Sequence, residues 1–413
     1  MHFTRCILVA IIFYRLLVKG QKITMNQWIS MWGNAVSIAE YRPEGYAKDI
    51  TLRYPVYVPF DGEALRFTFD NYCGTENIDI TRATVALSHA SVVDKIGLTC
   101  PMSESEIYDI TFFSSPDATI FPKDHIISDP VYMKVKAGDT ICVNLYFKDY
   151  TSMRSAVLIT GPLSKGFFCL GDATHSGRLP LEQTKTTNWY YFLSNIEVFS
   201  SDRNHTIMCY GDSITAQSWP DYLTLRAAEN PNNHTAVIRR AVSGTRVLRQ
   251  YECITYQSYG LKGKNRFLHE APASGCDTII IQQGINDIIH PVGIENNPFR
   301  PMSDLPTAQE LIDGLKWYVE EAKNLNYNVY LGTLIPFNGW RTYAPFREDL
   351  RNAVNEWIRS TIDIDGCIDF DLALRDPKDP TSFRQGFDSG DHLHPSAKAY
   401  KAMADTVPGH LLF

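Results

Sequence analysis

The stretch CYGDSITAQSWPDYL, residues Cys209–Leu223, ends an apolar run at Gly211, sets an acid beside a hydroxyl at Asp212-Ser213, and then turns amphipathic. A strand that stops at glycine and hands on to a helix is the repeating unit of a parallel α/β sheet. Two uses of Asp212-Ser213 are open at this point. Ser and Asp satisfy the free N–H groups of a helix start, so the pair serves as an ordinary N-cap. Alternatively, Ser213 is a nucleophile held at the carboxyl end of a sheet strand, where such sheets place their sites. Capping is the commoner use, and the rest of the chain has to decide.

Downstream, HTIMCY (205–210), TAVIRRAV (235–242), CDTIIIQQ (276–283), NVYLGTLIPF (328–337) and GCIDFDLAL (366–374) read as apolar strands. Helical segments lie between them. Leu311, Leu315, Tyr318 and Ala322 recur at helical spacing, as do Leu350, Val354, Trp357 and Ile358. Strand then helix, about five times, predicts a three-layer, flavodoxin-like α/β/α domain with a parallel five-stranded sheet over 204–413. Upstream the texture is β. LRFTFDNY (65–72) alternates Leu65, Phe67 and Phe69 with polar neighbours, and further short aromatic or β-branched runs continue to Phe199. Turn residues separate them at Asp61-Gly62, Cys73-Gly74 and Ala137-Gly138-Asp139. Residues 25–200 therefore read as an all-β sandwich of jelly-roll type without a three-turn helix, and the boundary falls in SSDRN (200–204).

The length of 413 residues agrees with two domains. A net charge of −7 without a basic stripe argues against nucleic acid as a partner. The nine cysteines are scattered and contain no C-x-x-C pair, so neither zinc nor a disulfide framework is expected. Reduced thiols favour the cytoplasm. Residues 1–24 carry a basic start and an apolar run, Cys6–Tyr14, too short to span a membrane. An upstream extension is the preferred reading, with folding starting near Met25; a signal peptide, and hence secretion, is the alternative. With no H-E-x-x-H, Walker loop or G-x-G-x-x-G fingerprint, no metal and no cofactor is expected.

The residues leaving each strand carry the chemistry. They are Gly211-Asp212-Ser213, then Gly244 in AVSGTRV, then Gly284, Asn286 and Asp287 in QQGINDI, and finally Asp391, His392, His394 and Pro395 in DSGDHLHPSAKAY. In these four blocks the chain resembles the SGNH hydrolases, or GDSL lipase/esterase family: Gly-Asp-Ser-Ile at 211–214, Gly244, Gly-x-Asn-Asp at 284–287 and Asp-x-x-His-Pro at 391–395. The N-terminal half bears a looser likeness to the leader domain of some bacterial multi-domain members. The resemblance implies a serine esterase with Ser213 as nucleophile, His394 as base and Asp391 as orienting acid. It assigns the oxyanion hole to the backbone N–H groups of Ser213 and Gly244 and the side-chain amide of Asn286. A serine hydroxyl needs an adjacent base to become nucleophilic. Pro395 suits the first position of the closing helix, which would fix His394 at its start. Asp391 and His394 as mere caps of that helix is the plain alternative. Asp287 reads as structural, Asp212 as a local hydrogen-bonding anchor and Cys209 as packing.

Trp219, Arg246, His290, Trp340 and Tyr343 are candidate substrate contacts, with Tyr256, Tyr259 and Phe337 near the same strand exits; for each, simple burial is the competing reading. His392 is a further candidate of the same kind. Aromatic faces beside hydrogen-bonding groups suit sugars, which points to short acyl esters, acetyl above all, on a carbohydrate or glycoside. Two alternatives stand: a broad short-chain lipase, arylesterase or thioesterase, and a carbohydrate-binding protein with a silent hydrolase domain. Composition gives neither the oligomeric state nor the acyl group.

Overall fold

The computed structural model describes residues 25–39, 45–93 and 96–412. The expectations about residues 1–24 fall outside them. The N-terminal half consists of antiparallel sheets. Asn26–Gly33, Leu193–Ser201, Ala64–Asp70 and His125–Ile127 form one sheet of four strands in that order. Lys185–Thr187, Gly166–Leu170, Ile50–Tyr57, Thr140–Phe147, Arg82–Ser88 and Met102–Ile110 form another of six. Leu65, Phe67 and Phe69 point into the same core as Leu52, Tyr54, Val143, Leu145, Ile196 and Val198, as strand alternation requires. Thr140–Phe147 is buried along its whole length because a second apolar cluster around Cys100, Cys142 and Phe167 covers the outer face of this sheet. Arg53 is tolerated there because it donates to Asn144 Oδ1 (2.6 Å) and to the carbonyls of Cys100, Ala173 and Ser176.

The last sandwich strand ends at Ser201 and His205–Gly211 opens a five-stranded parallel sheet. Its order across the sheet is Thr235–Ala241, His205–Gly211, Cys276–Gln282, Asn328–Gly332, Gly366–Ile368, the 2-1-3-4-5 order of doubly wound folds. Helices cover its faces. Ala308–Asn324 starts in a full capping box, Thr307 with Glu310, and buries Leu311, Leu315, Tyr318 and Ala322. Two segments depart from the sequence reading: in 328–337 only Asn328–Gly332 is strand. In 366–374 only Gly366–Ile368 is strand; Asp369 then accepts from the Leu372 N–H (3.0 Å) and starts a short helix, Phe370–Leu374.

The two halves share an extensive polar seam. Ser30 in the first sandwich strand donates its N–H to Ser274 (2.8 Å) and accepts from Thr206 Oγ1 (2.7 Å). The buried guanidinium of Arg240 reaches the carbonyl of Ser194 (2.8 Å) and Asn195 Oδ1 (3.1 Å). Asp221, ion-paired with Arg239, accepts from the Leu163 N–H and Ser164 Oγ, both at 2.9 Å. Among the described residues, no helix is long and apolar enough to cross a membrane.

Candidate active site

The strand His205–Gly211 stops where its neighbour leaves no room. A Cβ on Gly211 would lie 2.3 Å from the Gln282 carbonyl oxygen and 2.5 Å from Thr215 Oγ1, so the two strand ends close together only around glycine. Asp212 follows as the N-cap of the four-residue helix Ser213–Ala216, its Oδ1 accepting from the Ile214 N–H at 3.0 Å. Ser213 is thus the first helical residue, among N–H groups that a helix start leaves unpaired. The strand end is itself anchored: the buried guanidinium of Arg266 donates to the Gly211 carbonyl (3.0 Å), lies over the Tyr210 ring and pairs with Glu270 (3.1 Å).

His394 Nε2 lies 2.9 Å from Ser213 Oγ, and its Nδ1 lies 2.6 Å from Asp391 Oδ2. Since the carboxylate is an acceptor, Nδ1 carries the proton and Nε2 is left to accept from the serine hydroxyl. The other Asp391 oxygen accepts from the N–H groups of Leu393 (3.0 Å) and His394 (2.8 Å) and from Ser389 Oγ (3.0 Å). Burial works to raise the Asp391 carboxyl, but the His394 imidazole and these N–H groups outweigh it and hold the group well below the usual carboxylate range. The loop is not the cap of the last helix. Ser396 caps Ala397–Thr406, accepting from the Ala399 N–H, so Pro395 stands before the cap and not at the first helical position. His392, at φ +64°, pairs with Asp388 (2.6 Å) beside Gly339.

Gly244 follows the strand on one side of the Ser213 strand and Asn286 the strand on the other, so all three stand at the same end of the sheet. Gly244 has φ +78°, and a Cβ there would lie 2.3 Å from the Tyr259 ring: the position requires glycine twice over. Asn286 is buried and gives one amide hydrogen to the Thr245 carbonyl (3.1 Å), leaving the second to point elsewhere. Asp287 turns away from the sheet end and accepts from the N–H groups of Val247 (2.8 Å) and Leu248 (3.0 Å). Burial pushes its carboxyl up to about 6 against those hydrogen bonds. Asp212, more deeply buried and with Oδ2 unpartnered, is pushed up to about 7. This arrangement can pass a proton from Ser213 to His394 and present N–H groups to an oxyanion.

The expected substrate contacts divide. Trp219 is withdrawn from the set: the helix is interrupted between Ala216 and Trp219, and the indole is fully buried against Phe370, its N–H on Thr215 Oγ1 (3.3 Å). Arg246 is buried, paired with Asp304 (3.0 Å) and laid over the Tyr251 ring. His290 caps the helix bearing Asn286 and stacks on Tyr259, ring centroids 5.1 Å apart. Half-buried Trp340 and Tyr343 belong to a turn joined to that helix by Thr342 Oγ1 on the Ile289 carbonyl (3.0 Å). Phe337 is core, packed edge-on against Tyr343. Tyr251, Arg266 and Arg300 are additions. Irregular spacing in YECITYQSY and in NNPFRPM gives Tyr251 and Arg300 no periodic signal, whereas Arg266 lies within the helix Gly263–Glu270. Among the described residues, no three His, Cys, Asp or Glu side chains converge as a metal site.

Residues 209–402 match the model of the GDSL-like lipase/acylhydrolase family. Solved structures of similar fold include an acetyl-xylooligosaccharide esterase variant from Geobacillus, at 19% identity over 49% of this chain and 91% of that one, TM-score 0.36. Others are the lipase/acylhydrolase of Enterococcus faecalis (19%, 50% and 95%, TM-score 0.35) and a G-D-S-L lipolytic family member from Veillonella parvula (18%, 49% and 95%, TM-score 0.32). No curated protein matches the chain.

Proposed function

Residues 209–402 form a GDSL-like lipase/acylhydrolase domain, an ester-hydrolysing hydrolase, and on that premise we propose that the protein is a serine esterase removing short acyl groups, acetyl first, from a carbohydrate or glycoside. The observation that carries the proposal is His394 bridging Ser213 Oγ at 2.9 Å and Asp391 at 2.6 Å. Ser213 attacks the ester carbonyl while His394 takes its proton, and the imidazolium that forms is stabilised by Asp391. The N–H groups of Ser213 and Gly244 and the free amide hydrogen of Asn286 receive the oxyanion. His394 then returns the proton to the leaving alcohol, and water releases the acyl group by the same steps. What supports a sugar over a long acyl chain is the chemistry beside Gly244: tyrosine rings, His290 and guanidinium groups.

A fluorophosphonate probe tests the nucleophile. It labels the wild type and leaves Ser213→Ala unlabelled; an unlabelled wild type refutes the reading. Turnover of p-nitrophenyl acetate, butyrate and decanoate, followed by acetylated xylan and mannan, tests the substrate. Acetate turns over fastest, and a faster decanoate ester would overturn the short-acyl assignment.

A further inference from the structure

Beside Gly244 lies a group of buried and half-buried polar side chains that the proton relay does not use. Tyr259 packs on Gly244 and stacks on His290; Arg300 lies over Tyr256 (4.3 Å) and donates weakly to Tyr259 Oη (3.4 Å). Arg300 is only 7% exposed, yet among the described residues no carboxylate lies within ion-pair distance of it. The neighbouring Arg246 already has a partner, Asp304, which Arg249 also approaches at 3.8 Å. A buried guanidinium without a counter-ion is expensive, and tyrosine faces offset only part of its charge. The same neighbourhood holds several buried polar atoms with no hydrogen-bond partner: Nε of Arg300, Nε of Arg246, Oη of Tyr251 and Nδ1 of His290. Native interiors rarely leave such groups unmet, and four in one neighbourhood point to a partner that the described residues do not supply. Three of the four are donors, or donors by rotation, so the missing partner is an acceptor. Burial, and then the charges of Arg300, Arg246 and Arg341, hold His290 well below the usual imidazole range, so the ring is neutral and the positive charge belongs to the arginines.

We infer that Arg300, with Tyr251, Tyr259 and His290, forms an anion subsite beside the ester-hydrolysing centre, and that the substrate is an ester carrying a carboxylate. One uncompensated positive charge matches one carboxylate better than a doubly charged phosphate. The inference rests on the esterase reading for its placement in the substrate, but the subsite itself is a binding site that exists without turnover. The carboxylate can belong to the alcohol, as in an acidic sugar, or to the acyl group.

Two ester pairs separate these sources. Compared by kcat/KM, 4-acetoxybenzoate against 4-acetoxybenzamide carries the charge on the alcohol side, and monophenyl glutarate against phenyl pentanoate carries it on the acyl side. In the wild type, the anionic member of one pair is preferred about tenfold or more, the scale of a charge-assisted hydrogen bond. Arg300→Gln brings that ratio to about one, and Arg300→Lys keeps part of it. Equal rates within both pairs, or a ratio unchanged in Arg300→Gln, overturn the inference. Binding of 4-hydroxybenzoate and of 4-hydroxybenzamide to Ser213→Ala, followed by calorimetry, needs neither turnover nor a change at Arg300. Tighter binding of the benzoate, weakened by salt, supports the subsite on the alcohol side; equal binding removes that placement and, together with equal rates in the glutarate pair, removes the subsite. Loss of all ester turnover with benzoate still bound would fail the esterase reading and leave the subsite standing.

Discussion

Replacing Asp391 with Asn removes one charge and almost no volume, and the structure dictates where the amide must turn. Oδ1 accepts from three donors, the Leu393 and His394 N–H groups and Ser389 Oγ, whereas Oδ2 accepts from His394 Nδ1 alone. An asparagine keeps its oxygen where the three donors are, which places its NH2 group against Nδ1. Two donors cannot face each other, so Nδ1 gives up its proton to Nε2. Nε2–H then points at Ser213 Oγ and can no longer accept from it. The loss has two parts: the wrong tautomer at rest and an unstabilised imidazolium in the transition state. The same change in the chymotrypsin-type triad lowers kcat by ~10⁴. Here we expect about 10³ to 10⁴, which is about 4–5.5 kcal/mol of transition-state stabilisation. KM stays within about twofold, because nothing that touches the ground-state ester has moved. Stability also holds, since three of the four hydrogen bonds survive; the urea midpoint should shift by less than about 1 kcal/mol equivalent. The assay is steady-state hydrolysis of p-nitrophenyl acetate, with the fluorophosphonate labelling rate as a second readout. A kcat within tenfold of wild type would refute the tautomer argument.

Three further outcomes follow from the geometry. Asn286→Ala removes the amide expected at the oxyanion and should lower kcat by about 10²–10³ with KM little changed; a pure KM effect in p-nitrophenyl acetate kinetics would assign Asn286 to ground-state binding. Asp212, raised to about 7 chiefly by burial with Oδ2 unpartnered, holds its proton more tightly folded than unfolded. Stability tied to it is therefore full below about pH 4, declines as pH rises to about 7, and totals on the order of 4 kcal/mol. Asp212→Asn carries no such slope, so parallel urea-stability curves for the two proteins between pH 4 and 7 would contradict the assignment. Asp221→Ala leaves Arg239 buried without its ion-pair partner and strips two hydrogen bonds from the seam between the halves. Chemical denaturation should show a loss of about 3–5 kcal/mol; a loss below 1 kcal/mol would mean that water replaces the carboxylate there.

The parts of the site that were legible are chiefly those tied to strand ends. Ser213, Gly244 and Asn286 each follow an apolar strand that stops at a glycine or a turn, and a parallel sheet then has to gather them at one edge; the 391–394 loop follows no strand and is legible from its Asp-x-x-His-Pro pattern before the last helix. Trp219 was misread because an amphipathic stretch does not say where it breaks. Four residues of helix, a break after Ala216 and a restart at Trp219 rotate the indole into the core. Pro395 was misplaced by a similarly local ambiguity, since Ser396 next to it is the better cap. The Arg300 neighbourhood was invisible for a different reason: residues 251–259, 290 and 300 meet without any period, through ring stacking and a loop.

The contribution of the sandwich to the site was likewise hidden, and the structure supplies a physical account of it. The segment Ile254–Tyr259, which brings Tyr256 and Tyr259 beside Gly244, is a short 3₁₀ stretch with no buried residue of its own. Such a segment has little to hold it in place from within. Two contacts from the sandwich do so: Arg154 donates to Gln257 Oε1 (3.1 Å) and Ser37 Oγ to the Ser258 carbonyl (3.4 Å). Val36, next to Ser37, also donates its N–H to Glu270 (3.2 Å), the partner of the Arg266 that grips the Gly211 carbonyl. One sandwich segment thus touches both sides of the Ser213 strand end, the wall over Gly244 and the anchor beneath Gly211. Two sites tied through one segment cannot relax independently. A sandwich shifted by even an ångström would move the Tyr259 ring relative to Ser213 Oγ, and under the proposed mechanism positioning errors of that size are enough to lower a rate about a hundredfold.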